Sequence, residues 1–199
     1  MKIISDVAQK ANKHKLKEFY WQQQGIEVEK LPLPVGDYIL VDERVQDVLD
    51  RKAKRGMAVK KMDFLGTYKV CVDTKENIQE IVGNVCGKSH ARFRDECILA
   101  QNNGIQLYIL VENEGKRIRG DIWNKTITRL EDLHSWVNPR LFVMKNGKQV
   151  YPTATKGATL QKACETMEKK YGVKFLFCSK KDAGRMVIEL LTKGEENAD

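Results

Sequence analysis

The spacing of apolar positions changes several times along the chain, and each change predicts a different element. Within residues 9–24, Leu16, Phe19 and Tyr20 recur at i, i+3 and i+4 ahead of Gly25, which predicts a helix with these three as its apolar stripe. Ile26 and Val28 then alternate as in a strand, Leu31-Pro32-Leu33-Pro34 interrupts it, and residues 36–41 read as the next strand. From 42 to 66 the sequence turns polar and basic with weak periodicity, and is read as an excursion from the sheet. Residues 68–73 form a short β-branched, apolar run, hence a buried strand. Ile78, Ile81, Val82 and Val85 mark one face of a helix closed by Gly87, and a second helix over 90–102 turns Phe93 and Cys97 inward. Residues 105–111 are apolar at six positions of seven and predict a central strand. The segment 115–157 shows no clear pattern beyond a short helix over 129–136. An amphipathic helix over 159–171, a strand over 173–178 and a last helix opened by the capping box Ser179-Lys180-Lys181-Asp182 complete the chain. This order describes an α/β sandwich around a mixed central sheet.

A length of 199 residues fits one domain, here expected to carry a basic insertion at about 42–66 and an extra subdomain at about 115–157. No apolar run approaches the length of a bilayer span, and the amino-terminal residues are charged too soon for a signal peptide, so a cytoplasmic location is expected with no membrane partner. The net charge of +8 favours a polyanionic partner. Six of the eleven residues over 51–61 are basic (Arg51, Lys52, Lys54, Arg55, Lys60 and Lys61) and none is acidic. Because these lack helical periodicity and Gly56 would break a helix, the stretch is expected to be a mobile arm that grips a phosphate backbone. The five cysteines lack a C-x-x-C pair and read as reduced core thiols, and Cys86, His90 and Cys97 fit no common zinc spacing. Asp121-Ile122-Trp123 and Leu133-His134-Ser135-Trp136 read as packing within the added subdomain rather than as base-stacking aromatics, the scattered His14, His90 and His134 read as bland, with a phosphate contact the lesser reading for His90, and nothing resembles a Walker loop.

Phosphodiester cleavage needs a divalent metal held by carboxylates and a cation to orient water or neutralise charge. Magnesium takes only one or two protein carboxylates as a rule. A minimal site is therefore an acid at one strand start and, on the neighbouring strand, an acid two residues from a lysine, where the period of two points both the same way. Asp37 after Gly36, with Asp73 and Lys75 ending the run Val70-Cys71-Val72, fits this requirement. The bland alternative is that these strand-end charges face water and cap the next helix.

Leu33-Pro34-Val35-Gly36-Asp37-Tyr38-Ile39 closely resembles the "GDY" segment of XPF-type nuclease domains in the PD-(D/E)XK superfamily, and Val72-Asp73-Thr74-Lys75 stands where that family carries "ERK". Ala91-Arg92-Phe93-Arg94-Asp95-Glu96 is similar to its arginine-aromatic helix, and residues 105–112 to its next strand, which also ends on an acid. The resemblance covers roughly residues 3–112 and resumes at 173–191. It implies a restriction-endonuclease-like mixed sheet flanked by helices, and a magnesium- or manganese-dependent endonuclease acting on branched or structured DNA. It further implies Asp37 and Asp73 as metal ligands, Lys75 as the water-positioning cation, Arg92 at phosphate, and a possible homodimer in a bacterial or phage-infected cell. The chain departs from the family at Ala8 and Gln9, which replace Arg-Glu, and at Gln79, where a further acid is usual; Asp6 and Glu80 are second-tier acids. These departures motivate an alternative: a catalytically weak DNA-binding or regulatory protein on a nuclease scaffold.

Overall fold

A computed structural model describes residues 1–9 and 15–196, with side chains followed to residue 193. Six strands form one mixed sheet: β1 (Lys2–Asp6), β2 (Glu27–Leu31), β3 (Tyr38–Leu40), β4 (Val70–Lys75), β5 (Gln106–Glu112) and, after two short ribbons, β10 (Lys174–Cys178). Their spatial order is β10-β5-β4-β3-β1-β2. The β10–β5–β4 half is parallel, β3 runs antiparallel to both β4 and β1, and β2 closes the edge parallel to β1. All six positions of β4 are buried, as expected of a strand covered on both faces.

Helices α1 (Lys15–Gln23), α2 (Glu43–Lys54), α3 (Ile78–Val85), α4 (His90–Asn102), α5 (Gly157–Tyr171) and α6 (Ala183–Glu196) flank the sheet. Helices α2 to α5 share one apolar cluster with Ile4, Ile39, Cys71, Ile109 and Phe175, while α1 and α6 cover the other face over Ile3, Tyr38, Val72 and Leu110. The Trp21 indole donates to the Gly184 carbonyl at 2.9 Å, joining α1 to α6. Among the described residues no helix is long and apolar enough to cross a membrane.

Three expectations are corrected here. The stripe read on the first helix is reversed: Leu16 and Phe19 are 55% and 58% exposed, while Lys17 and Trp21 are buried. Lys17 takes a core position because its ammonium pairs with Glu112 at the end of β5, which satisfies a charge that burial would otherwise penalise. Residues 10–14, the start expected for this helix, lie outside the described residues, as does His14.

The stretch 51–61, expected as a mobile arm, is built into regular structure: its first residues end helix α2 (Glu43–Lys54) and its last opens the 3-10 turn Lys61–Phe64. Asp42 caps α2 by accepting the Val45 N–H at 2.8 Å, and Val45 and Val48 bury a narrow apolar stripe that the surrounding charges hide in the sequence. Gly56, at φ +61°, lies just past the helix end and stops it without breaking it. Lys52 pairs with Asp63 at 2.7 Å, tying the helix end to the short 3-10 turn Lys61–Phe64.

The segment 115–157 folds as two ribbons, β6 (Lys116–Arg119) with β7 (Ile122–Asn124) and β8 (Met144–Lys145) with β9 (Lys148–Gln149), separated by the 3-10 turns Leu130–Ser135 and Pro139–Phe142. Ile127, Leu133 and Trp136 join the main apolar cluster. A Cβ at Gly157 would meet the Leu133 and Trp136 carbonyl oxygens at 2.2 and 2.4 Å, so only glycine lets α5 start against this segment. Trp123 does not pack as expected: it is 61% exposed, because the ribbon is anchored through its other face by Asn124.

Candidate active site

Asp73 and Lys75 follow Cys71 on the sheet face covered by α3, α4 and α5, as the two-residue period requires. Both are deeply buried, at 4% and 8% exposure. Lys75 Nζ lies 2.6 Å from Asp73 Oδ2 and 5.5 Å from the centre of the Phe93 ring on α4. The lysine is thus clamped between a carboxylate and an aromatic face. Asp73 Oδ2 nevertheless has no aligned hydrogen-bond donor among the described residues.

Asp37 reaches this point from the start of β3. Its N–H donates to the Val72 carbonyl at 2.9 Å and its own carbonyl accepts the Asp6 N–H at 2.8 Å. Thr74 fixes the Asp37 carboxylate: its backbone N–H and its hydroxyl each donate to Oδ2 at 2.8 Å. Gly36 makes the approach possible. It sits at φ +74°, and a Cβ there would meet Cys71 Cβ at 2.9 Å and Sγ at 3.0 Å. A side chain at this position would push β3 away from β4 and separate the two aspartates.

A third carboxylate was not singled out from the sequence. Glu96 on α4 reaches the same place and its Oε1 accepts the Gly36 N–H at 3.0 Å. The signal was present, because Glu96 stands three residues after inward-facing Phe93 and one before inward-facing Cys97, on the helix face turned to the sheet.

Electrostatically, three carboxylates converge on one lysine. Burial pushes the Asp73 carboxyl well above the usual carboxylate range; Lys75 pulls it back, and Asp37 and Glu96 push it further up. Burial would depress the Lys75 ammonium, but Asp73 and Asp37 outweigh it and hold it above the ordinary lysine value.

These residues line a cleft of about 610 Å³ that also includes Asp6, Gln9, Lys61, Glu80 and Arg92. The structure therefore brings together Asp37, Asp73, Lys75, Asp6, Glu80, Lys61 and Arg92. Asp6 Oδ1 accepts the Leu33 N–H at 3.1 Å, and Glu80 Oε2 accepts the Glu76 N–H at 2.9 Å, so both are partly engaged by backbone. Gln9 stands beside them, its side-chain oxygen accepting from Tyr38 at 2.7 Å and from Ser5 at 3.2 Å. Arg51, Lys52, Lys54, Arg55 and Lys60 do not line the cleft, and neither does His90. Arg51, Lys52 and Arg55 border a separate surface hollow with Met57 and Asp63.

The donor set suits a hard divalent cation. Among the described residues no three His, Cys, Asp or Glu side chains are placed to hold a metal ion together. Asp37 and Asp73 would leave most of an octahedral shell to water and phosphate, which is how magnesium is usually held. The surplus of carboxylates over the one ammonium of Lys75 fits such an ion.

Two solved structures share the fold. XPF from Aeropyrum pernix matches at 11% identity and a TM-score of 0.52, over 97% of this chain and 61% of that one. XPF from Aeropyrum pernix in complex with DNA matches at 12% identity and 0.52, over 98% of this chain and 66% of that one. The chain thus spans between three-fifths and two-thirds of the length of those structures. No curated protein sequence matches. The profile of the ERCC4 domain matches residues 7–190, a stretch that takes in every cleft residue from Ala8 to Leu99, and the chain belongs to the ERCC4 domain family.

Proposed function

We propose that this protein is a divalent-metal-dependent endonuclease that hydrolyses phosphodiester bonds in branched or otherwise structured DNA. The observation that carries the reading is the surplus of carboxylates over cations in a buried cleft: Asp37, Asp73 and Glu96 face the single ammonium of Lys75. Such a surplus is costly unless a cation completes it. Support for DNA as the polymer comes from the family and from the DNA complex of the Aeropyrum pernix XPF.

Asp37 and Asp73 would hold magnesium or manganese, which when bound supplies Lewis-acid polarisation of the phosphate and a more acidic water. Thr74 keeps the Asp37 carboxylate turned into the cleft. Lys75, held charged by its acidic neighbours, orients the attacking water or neutralises charge developing on the phosphate. Lys61 and Arg92 on the rim take flanking phosphates. The basic end of α2, with Arg51, Lys52, Lys54, Arg55 and Lys60, lies beyond the rim and would reach only DNA extending past the cleft. Glu96 favours catalysis over an inactive scaffold, since it brings a further acid to a site whose family counterpart at Gln79 is missing.

The test is incubation with forked, nicked, single-stranded and plain duplex DNA in magnesium, manganese or EDTA. Incision of the structured substrates should require the metal and disappear in Asp73→Asn and Lys75→Ala with circular dichroism unchanged. Incision undiminished in both variants, or persisting in EDTA, would remove this site from the reaction.

A further inference from the structure

The most basic part of the molecule lies outside the cleft. Residues 115–157 hold nine basic and three acidic side chains, a surplus of six out of the chain's net +8. The one ion pair inside this segment among the described residues is Arg129 with Asp132. Its first ribbon, β6–β7, carries Lys116, Arg117 and Arg119 against the single acid Asp121 at the turn, and Lys125 follows directly.

The ribbon has two unlike faces. Lys116 pairs with Asn124 in the register, and Arg117 with Trp123. Asn124 is buried and clamps the ribbon to the segment behind it: its side-chain nitrogen donates to the Val137 carbonyl and its oxygen accepts the Val137 N–H, both at 2.8 Å. On that inner face Lys116, Ile118, Asn124 and Lys125 border a groove of about 550 Å³. Glu76 lines both this groove and the cleft, so the two are neighbours. The outer face presents Trp123 at 61% exposure beside Arg117, whose Nε is held against the Gly120 carbonyl at 2.6 Å.

An exposed indole beside a guanidinium group on a tethered, basic ribbon matches the chemistry of unpaired nucleic acid. Every base offers a face to stack on an aromatic ring, and the cations meet the neighbouring phosphates. Duplex DNA keeps its bases inside the stack and cannot use an outward indole in this way. A second copy of the same surface is disfavoured, since a symmetric contact would set these cations against one another. The geometry points to the β6–β7 ribbon as a binding site for a single-stranded DNA arm next to the cleft. Trp123 stacks on one unpaired base, and Arg117, its partner across the ribbon, holds a neighbouring phosphate. The proposal rests on the nuclease reading only in naming DNA as the polyanion.

The three tryptophans make the test direct, because Trp21 and Trp136 are 1% and 6% exposed and only Trp123 can be quenched by a stacking base. Oligothymidylate is titrated in EDTA against the full chain carrying Asp73→Asn, with emission and anisotropy recorded together. Quenching is expected on binding. Trp123→Ala should abolish it and weaken oligothymidylate binding by roughly tenfold or more, as for the loss of one base–aromatic stack. Trp123→Phe should retain most of the affinity, and plain duplex should be affected little by either change. Absence of quenching, equal binding by Trp123→Ala, or Trp123-dependent self-association without oligonucleotide binding would each overturn the proposal. Metal-dependent incision by a protein whose oligothymidylate binding ignores Trp123 would sink this inference and leave the nuclease reading standing. Trp123-dependent binding by a protein that never cuts would do the reverse.

Discussion

Two buried lysine–carboxylate pairs end adjacent strands of the sheet, and they differ in what surrounds them. Asp73–Lys75 closes β4 on the face covered by α3, α4 and α5, while Lys17–Glu112 closes β5 on the face covered by α1. By burial alone they look alike, with side-chain exposures of 6% and 10% against 4% and 7%. The second pair is balanced, one cation to one anion, and it tethers α1 to the sheet. The first has two further carboxylates beside it, Asp37 and Glu96. A balanced buried pair holds elements together; an unbalanced one holds space for something absent from the chain.

The largest difference should appear in activity. Asp73→Asn is expected to lower metal-dependent incision by on the order of a thousandfold, the scale of losing several kcal/mol of charge stabilisation. Glu112→Gln, assayed well below its melting temperature, should change it only a few-fold. If both variants lose activity alike, the contrast between the pairs fails.

Stability should show the opposite pattern. Lys17→Met strands Glu112 in an apolar setting and should cost about 3–5 kcal/mol in denaturant unfolding. Adding Glu112→Leu should recover most of that loss, because the pair then leaves together. A double variant no more stable than Lys17→Met would mean that the pair does more than tie α1 down.

A smaller cost, about 1–3 kcal/mol, is expected for Gly36→Ala, which forces a side chain onto Cys71 at a positive φ. Here activity should fall more than stability, since the displaced loop carries Asp37. Parallel losses in melting temperature and incision rate at full occupancy of the fold would show that Gly36 serves only folding.

The mildest effect concerns protons. A metal needs the ionised carboxylate, and the Asp73 carboxyl sits above its ordinary range through burial, so a proton competes at a pH where a surface aspartate binds none. Manganese affinity should therefore decline as pH falls from neutral, earlier than for exposed carboxylates. Calorimetry in buffers of different ionisation enthalpy should register more protons released per ion in mildly acidic than in neutral solution. Equal release at both would put Asp73 back in the ordinary range.

Much of this arrangement was legible in the residues. β4, β5 and α4 appear where apolar runs and stop signals place them, because buried strands and capped helices are fixed by local chemistry. Asp37, Asp73 and Lys75 come together because strand period and one glycine determine their direction. What was illegible depended on distant partners. Lys17 occupies a core position because of Glu112, 95 residues away, and no local rule prefers it to Leu16. Helix α2 hides behind its charges since two valines are enough to seat it. Trp123 and Trp136 carry no local signal that separates them, yet one is 61% exposed and the other 6%.

The bond from Trp21 to Gly184 spans 163 residues and bears on how the chain is made. β1, β3 and β4, with Asp37 and Asp73, emerge from the ribosome well before α6 does. Until α6 docks, Ile3, Tyr38, Val72 and Leu110 have lost half of their cover. Gly184 lies so close that an added Cβ would meet Tyr20 at 3.1 Å and the Lys17 backbone at 3.2 Å, so this docking tolerates little variation. A nascent or prematurely stopped chain therefore carries the acidic residues on a sheet that cannot hold its shape. The cleft thus leans on a helix translated after every residue that lines it.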